Sequence, residues 1–229
     1  MRRQHLIFDA DDTLWENNIY FEEAFHQFCE YLGHSSMSPL EVRTVLDEIE
    51  IVNARVNGYG SRNFGQNLAV CFQRLAERDI SDADLAAVRD FAYAILDKPI
   101  ELIEGVADTI AELSARHELT LFTKGDPEEQ RLKIDRSGLV CHFCHSAIVK
   151  EKNEPAYREL ARERHFEAER TWMIGNSPKS DINPALGAGF NAVFVPHDNT
   201  WVLEHEEVSA AENSRLLVLG NFAELREHF

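Results

Sequence analysis

Short apolar runs alternate with longer stretches of helical periodicity through most of the chain. Each run stops at a glycine, a proline or charged residues, as buried strands of a parallel sheet do. The apolar runs occupy residues 6–8, 119–123, 146–149, 171–174, 192–195 and 216–219. Apolar residues recur at helical spacing over residues 105–117, 154–165 and 181–189. This alternation predicts a doubly wound α/β fold around a parallel sheet.

Residues 16–98 break the alternation. They contain amphipathic stripes such as Phe21, Phe25 and Phe28, and they lack a convincing strand. We therefore expect a helical insert directly after the first strand. The predicted domains are an α/β core formed by residues 1–15 and 99–229, and an all-helical domain formed by residues 16–98.

The net charge and the cysteine content exclude several classes of function. The chain has 229 residues with 40 acidic and 23 basic side chains, for a net charge of −17. Phosphate backbones and anionic membrane surfaces repel such a protein, so we expect no nucleic-acid and no membrane partner. The first apolar run is too short for a signal peptide, and the four cysteines are too few for a disulfide scaffold. A cytoplasmic protein with reduced thiols is expected.

The sharpest chemical feature is the segment 9–13, Asp-Ala-Asp-Asp-Thr, directly after the first strand. Ligands of open α/β sheets bind at the carboxyl ends of the strands. There, one carboxylate can act as a nucleophile and a second can transfer protons. Carboxylate oxygens also suit a hard cation such as Mg²⁺. The alternative is an acidic cluster that caps a helix.

Three further strand ends carry suitable groups. The second strand is followed by Thr123, Lys124 and Gly125, which offer a hydroxyl, a charge and a backbone amide to phosphoryl oxygens. Lysines 150 and 152 follow the third strand, and residues 175–181 with Asn176 and Asp181 follow the fourth. Nucleophile, hydroxyl, lysine and acid thus occur in that order, each at a strand end.

This order resembles the haloacid dehalogenase (HAD) superfamily, in particular its aspartate-nucleophile phosphatases with a helical C1-type cap. The resemblance spans the whole chain and implies a modified Rossmann, three-layer core with residues 16–98 as the cap. It makes Asp9 the nucleophile and a magnesium ligand. Asp11 becomes the general acid and base, and its backbone carbonyl also binds the metal.

The resemblance assigns the remaining motifs as well. Thr123 is its phosphoryl-binding hydroxyl, and Lys152 is the lysine that neutralises Asp9 and the phosphate, with Lys150 as the less favoured choice. Asp181 is the further metal ligand. Asn176 stands where the family usually has an acid, so it would be a neutral oxygen donor to a metal-bound water. Because of this departure, the resemblance does not define the full set of metal ligands.

Asp11 separates the chemistries within the resemblance, because dehalogenases and phosphonate-cleaving members lack an acid at that position. The sequence therefore predicts a Mg²⁺-dependent phosphatase that acts on a small phosphorylated metabolite through an aspartyl-phosphate. A sugar phosphomutase, a haloacid dehalogenase and a catalytically idle binding protein remain alternatives, and the oligomeric state is a monomer or homodimer. Asp9 and Asp12 flank Asp11 and should raise its pKa, which favours an acid catalyst.

Two features have two interpretations each, and two further segments have one favoured interpretation. Arg62 lies in the glycine-rich segment 56–64, which is either a loop that reaches substrate or a turn between helices. Trp15 either faces substrate or packs. The Cys-x-x-Cys-His segment 141–145 matches haem and zinc motifs, but export and a second ligand pair are not indicated. The acidic segment 204–207 predicts a solvated helix face.

Overall fold

The computed structural model describes residues 3–209 and 215–229, which form two compact units. One unit contains the chain up to Asn18 together with Ile100–Phe229, and the other is Ile19–Pro99. The second unit is therefore an insertion between the first and second strands of the first unit.

A six-stranded, all-parallel sheet forms the centre of the first unit. Its strands are β1 His5–Phe8, β2 Glu118–Lys124, β3 His145–Val149, β4 Thr171–Gly175, β5 Asn191–Phe194 and β6 Leu216–Val218. They are arranged in the order β3-β2-β1-β4-β5-β6. The predicted α/β class is confirmed, and the strand order reverses direction at β1, where open sheets bind ligands.

Helices cover both faces of this sheet. They are α5 Val106–Ser114, α6 Pro127–Arg136, α7 Glu154–Arg164, α8 Asn183–Gly187 and α9 Leu225–His228. Alternation along β1 sends Leu6 and Phe8 into a core with α5 and α9, while Ile7 enters a second core with α7. The result is the predicted three-layer arrangement, in which the central strand is buried on two sides.

The inserted unit is helical. Its helices are α1 Asn18–Leu32, α2 Pro39–Asn57, α3 Ser61–Leu75 and α4 Asp82–Tyr93. Phenylalanines 25, 28, 64 and 72 belong to the apolar core that these helices share. In the part of the chain that the structure describes, no helix has the length and apolarity needed to cross a membrane.

The glycine-rich segment 56–64 is a turn between helices rather than a loop that extends from them. Only residues 58–60 separate α2 from α3, and Arg62 is an exposed residue in the first turn of α3. Gly58 and Gly60 have φ values of 80° and 113°, which only glycine adopts at low cost. The segment is short because these two glycines reverse the chain tightly.

Glu50→Gln in α2 is expected to stabilise the protein at alkaline pH. Burial raises the pKa of Glu50 to about 8, against the opposing effect of Arg43, whereas a glutamate in an unfolded chain titrates near about 4.3. At a pH between these two pKa values, Glu50 is protonated in the folded state but ionised in the unfolded chain. Its contribution to stability is therefore fully present below the unfolded pKa and is lost as pH rises through the folded pKa. Glutamine avoids this loss, which we expect to reach about 5 kcal/mol at pH 9 and to fall to about 1 kcal/mol at pH 5.

Denaturant unfolding at pH 5, 7 and 9 measures this effect. Glu48→Gln removes the same charge from an exposed position of α2 and is the matched control. A gain at pH 9 that is equal in both variants would assign the effect to overall charge and contradict the role of burial.

Candidate active site

The site lies at the carboxyl ends of the central strands, where β1 is flanked by β2 and β4. The register pairs Phe8, the last residue of β1, with Leu121 on one side and Ile174 on the other. The Asp9 amide continues the ladder by donating to the Ile174 carbonyl at 3.0 Å. The backbone of Asp9 is therefore fixed by the sheet itself.

A buried lysine joins two carboxylates at the centre of the site. The Lys152 ammonium contacts Oδ1 of Asp9 and Oδ1 of Asp181, and the three side chains are at most 9% exposed. Burial by itself lowers the pKa of Lys152, but Asp181 and Asp9 raise it above its usual value. Two carboxylates share one ammonium, so this group carries an excess negative charge.

Asp181 is held by the turn that follows β4. A π-helical turn, Pro178–Ile182, begins three residues earlier than the helix predicted from the sequence and is capped by Ser177. The Ser177 amide donates to Asp181 Oδ2 at 3.0 Å, and a Cβ on Gly175 would lie 2.2 Å from that oxygen. Glycine is therefore required at the end of β4. Burial, together with Asp9, raises the pKa of Asp181 despite the nearby Lys152.

Thr13 links the first and fourth motifs. Its Oγ1 lies 3.0 Å from both Asp9 Oδ2 and Asn176 Oδ1. The same oxygen accepts a hydrogen bond from the backbone N–H of Asn176 at 3.2 Å. The Asn176 side-chain nitrogen donates to Thr200 Oγ1 at 2.8 Å. The side-chain oxygen of Asn176 thus faces Thr13. That Asn176 contacts a metal-bound water stays a prediction.

The end of β2 carries the predicted phosphoryl-binding residues. Thr123 is buried, and Gly125 has a φ of 142° while its amide donates to the Val149 carbonyl at 3.1 Å. Lys124 instead lies against Glu204, at 2.5 Å, and Ser180, at 2.9 Å. The charge of Lys124 is therefore already compensated by a buried carboxylate.

The predicted solvated face at residues 204–207 is wrong for Glu204. Its carboxylate is buried and accepts from Lys124 and, at 2.6 Å, from Ser177 Oγ. Burial works to raise the pKa of Glu204, but Lys124 and Ser177 hold it below its usual value. Glu204 thereby ties the loop after β5 to the ends of β2 and β4.

Asp11 occupies a polar pocket built by one side chain from its own turn and two from α6. Trp15 Nε1 donates to Asp11 Oδ1 and Gln130 Nε2 to Oδ2, both at 2.8 Å. The Lys133 ammonium lies 2.7 and 2.6 Å from the two oxygens. Trp15 is fully buried, so its packing interpretation applies.

The expected rise in the pKa of Asp11 is wrong for this arrangement. Burial does work to raise it, but the charge of Lys133 and the hydrogen bonds from Lys133, Gln130 and Trp15 hold the pKa below its usual value. The flanking residue Asp12 shows the opposite behaviour, because burial raises its pKa to about 7. The pKa values of these two neighbouring carboxylates therefore shift in opposite directions because their surroundings differ.

Asp12, Glu16 and His197 form a second polar group beside the first motif. Potential ligand atoms of all three lie within 4.8 Å of one another, a spacing that would suit a metal ion. Asp12 has a φ of 58° and accepts the amides of Asn17 and Asn18 at 3.0 Å, which caps the start of α1. The helix-cap interpretation of the acidic segment therefore applies to Asp12. No comparable group forms around segment 141–145 within residues 3–209 and 215–229.

The residues around Asp9 fit a hard divalent cation. Asp9 and Asp181 supply carboxylate oxygens, the donor type that Mg²⁺ prefers. The single ammonium of Lys152 leaves the pair with net negative charge, and a cation would neutralise it.

Three residues of the site were missed at the sequence level: Gln130, Lys133 and Glu204. Gln130 and Lys133 lie three positions apart in α6 and therefore share a helix face. This spacing was the only available signal. Predicted residue Arg62 belongs to the other unit.

Comparisons with known proteins identify relatives across most of the chain. A family model of haloacid dehalogenase-like hydrolases matches residues 4–189, which include all the predicted site residues. A phosphoserine phosphatase from Thermus thermophilus is 28% identical over 185 residues, covering 77% of this chain and 70% of the relative.

Solved structures show the same fold. A haloacid dehalogenase-like family hydrolase from Xanthomonas campestris has a TM-score of 0.82 at 30% identity and covers 99% of this chain and 94% of that chain. The HAD-hydrolase YfnB from Bacillus subtilis, solved with bound magnesium, has a TM-score of 0.72 at 17% identity and covers 100% of this chain and 99% of that chain. Solved haloacid dehalogenases share the fold as well.

Proposed function

This chain belongs to the haloacid dehalogenase-like hydrolases, and from this premise we propose that it is a Mg²⁺-dependent phosphatase. Its substrate is a small phosphorylated metabolite, and the reaction passes through an aspartyl-phosphate on Asp9. The observation that carries the proposal is the buried group of Asp9, Lys152 and Asp181, with Asp11 on the same turn as the nucleophile.

The reaction has two steps. A carboxylate oxygen of Asp9 forms a bond to phosphorus while the bond from phosphorus to the ester oxygen breaks, and Asp11 gives a proton to that oxygen. Water then attacks the phosphorus of the aspartyl-phosphate and gives a proton to Asp11. Phosphate leaves, and Asp9 is regenerated as a carboxylate.

Lys152 and Thr123 hold the transferred group. The ammonium of Lys152 contacts the nucleophile directly and offsets the charge that accumulates between Asp9 and the phosphate. Mg²⁺ would be held by Asp9, Asp181 and the backbone carbonyl of Asp11. When bound it supplies charge neutralisation for the phosphoryl oxygens.

Asp11 supports ester hydrolysis over dehalogenation. A halide departs as a stable anion and needs no proton, whereas an alkoxide must be protonated as it leaves. Asp11 lies two residues after the nucleophile and belongs to the same turn. An acid so placed is useful for a phosphate ester and has no function with a haloacid.

The substrate class follows from the relatives and from the insert. We take Ile19–Pro99 to be a cap that excludes water and large substrates. Phosphoserine is the first substrate to test because a phosphoserine phosphatase is among the relatives. Sugar phosphates, phosphoglycolate and nucleotides are the other members of the class, and we place the enzyme in the cytoplasm as a monomer or homodimer.

Phosphate release is expected to depend on Mg²⁺. Treatment with EDTA should reduce hydrolysis of p-nitrophenyl phosphate and phosphoserine by at least about 100-fold, because a bound cation contributes several kcal/mol to transition-state stabilisation. Added Mg²⁺ should restore the rate, measured as free phosphate.

Three results would point to other functions. Chloride release from 2-chloropropionate without phosphatase activity would assign a dehalogenase. Interconversion of hexose phosphates without free phosphate would assign a mutase. Stabilisation by phosphorylated metabolites with no turnover under any metal would assign an idle binding protein.

A further inference from the structure

The segment 200–204, in the loop after β5, contacts the turn after β4 at three residues. The side-chain amide of Asn176 donates to the threonine hydroxyl of this segment at 2.8 Å, and Ser177 Oγ donates to the Glu204 carboxylate at 2.6 Å. The Lys179 ammonium donates to a backbone carbonyl of the segment at 2.7 Å. The turn after β4 is therefore held by a second loop as well as by its own hydrogen bonds.

Glu204 is the charged member of this contact. Its side chain is 11% exposed, and it accepts from Ser177 and, at 2.5 Å, from the Lys124 ammonium. Lys124 also donates to Ser180 Oγ at 2.9 Å. Hydrogen bonds to an ionised acceptor are about twice as strong as those between neutral groups. Glu204 therefore holds the turn directly at Ser177 and, through Lys124, at Ser180.

Stability alone does not account for this buried ion pair. The attraction between two buried charges often fails to exceed the free energy needed to remove them from water, and an apolar pair of similar volume is often as stable. The contacts of Lys124 and Glu204 with the turn after β4 are what an apolar pair would lack.

Ser177 connects Glu204 to Asp181. The Ser177 carbonyl accepts the backbone N–H of Asp181 at 2.9 Å, and the Ser177 N–H donates to Asp181 Oδ2 at 3.0 Å. The Ser177 hydroxyl donates to Glu204 and accepts the backbone N–H of Ser180 at 2.9 Å. A shift of Ser177 would therefore move both the backbone and the carboxylate of Asp181.

We propose that Glu204 is a positioning residue that sets the affinity for the divalent cation by holding Asp181 through Ser177. The inference rests on the proposed function, which makes Asp181 a ligand of that cation. Loss of the outer partners of a metal ligand typically lowers metal affinity by about 10- to 100-fold. Glu204 is not a catalytic residue, since it is assigned no contact with the cation, the substrate or the reacting atoms.

The dissociation constant of Mg²⁺ separates this role from a merely structural one. A structural residue changes the free energy of unfolding but leaves the affinity of the folded protein unchanged. Titration calorimetry with Mg²⁺ on the folded protein, without substrate, measures the dissociation constant and needs no turnover. Denaturant unfolding in EDTA measures stability in parallel.

Lys124→Met combined with Glu204→Met removes the pair, leaves no unpaired buried charge and keeps the net charge of −17. We expect the dissociation constant of Mg²⁺ to rise by about 10-fold, while stability in EDTA is unchanged or higher. Lys124→Met combined with Glu204→Gln should recover part of the affinity, because the glutamine oxygen can again accept from Ser177.

The matched control is Glu112→Met combined with Arg116→Met, which removes an exposed ion pair and should leave the dissociation constant unchanged. If the variant that lacks Lys124 and Glu204 does not fold, Ser177→Ala keeps the ion pair, removes only the connecting hydroxyl and should also raise the constant by about 10-fold.

A mutant cycle with Ser177→Ala completes the test. If Glu204 acts through Ser177, removal of Lys124 and Glu204 should have no further effect on the dissociation constant in the Ser177→Ala background. An unchanged dissociation constant in the variant that lacks both charges, or a further rise in that background, would overturn the positioning role alone. A wild-type protein that binds no Mg²⁺ and hydrolyses no phosphate ester would instead overturn the proposed function.

Discussion

Asp9→Asn is expected to reduce phosphate release by at least about 10³-fold, because an amide oxygen cannot replace the carboxylate nucleophile. The side chain has the same shape, and the backbone amide of residue 9 still pairs with the Ile174 carbonyl of β4. The position of residue 9 in the sheet should therefore be unchanged. Single-turnover assays with phosphoserine and Mg²⁺ measure the loss.

The same variant should fold at least as well as the wild type when no divalent cation is present. In the wild type, Asp9 and Asp181 share the ammonium of Lys152 in a buried group, and asparagine leaves one carboxylate for one ammonium. We expect the free energy of unfolding in EDTA to stay within about 1 kcal/mol of the wild type or to rise. The stabilisation by added Mg²⁺ should shrink, because a ligand of the cation is lost.

Two controls make this result decisive. Asp108→Asn makes the same substitution at an exposed position of α5 and should retain full activity. Asp9→Ala excludes activity that arises when the introduced asparagine deamidates back to aspartate. Mg²⁺-dependent hydrolysis that persists in Asp9→Ala would contradict the aspartyl-phosphate mechanism.

The fold could be predicted because strand ends are local features of the sequence. Each apolar run stops where the chain leaves the sheet, and parallel strands bring those ends to one edge. The sequence thus indicated that Asp9, Thr123, Lys152 and Asp181 belong to one site without any distance being known. Asp9, Lys152 and Asp181 are in contact in the structure, as this predicts.

The surroundings of Asp11 and Glu204 could not be predicted in this way. Asp11 and Lys133 are separated by 122 positions, and no local pattern specifies which face of α6 rests on the first motif. Glu204 lies in an acidic segment that looks solvated, and its burial depends on the contacts with Lys124 and Ser177. The charge of a buried group depends on partners that tertiary structure brings together, so its pKa cannot be read from its neighbours in sequence.

Lys152→Met is expected to have the largest effect on stability. It leaves Asp9 and Asp181 buried together without a counter-charge, and breaking a buried ion pair in this way costs about 3–5 kcal/mol. We expect this decrease in the free energy of unfolding at pH 8 in EDTA. The decrease should be smaller at pH 5, because burial and like charge already raise the pKa of Asp181, and a raised folded-state pKa costs stability only as pH rises through it.

Lys150→Met is the matched control, since this lysine belongs to the same loop but is exposed. It should change neither stability nor activity, whereas Lys152→Met should also abolish phosphate release. Asp181→Asn combined with Lys152→Met should recover part of the lost stability, because it removes one of the two unpaired charges. Equal destabilisation by the two lysine variants would show that Lys152 does not neutralise the carboxylates, and the electrostatic basis of the site would then be wrong.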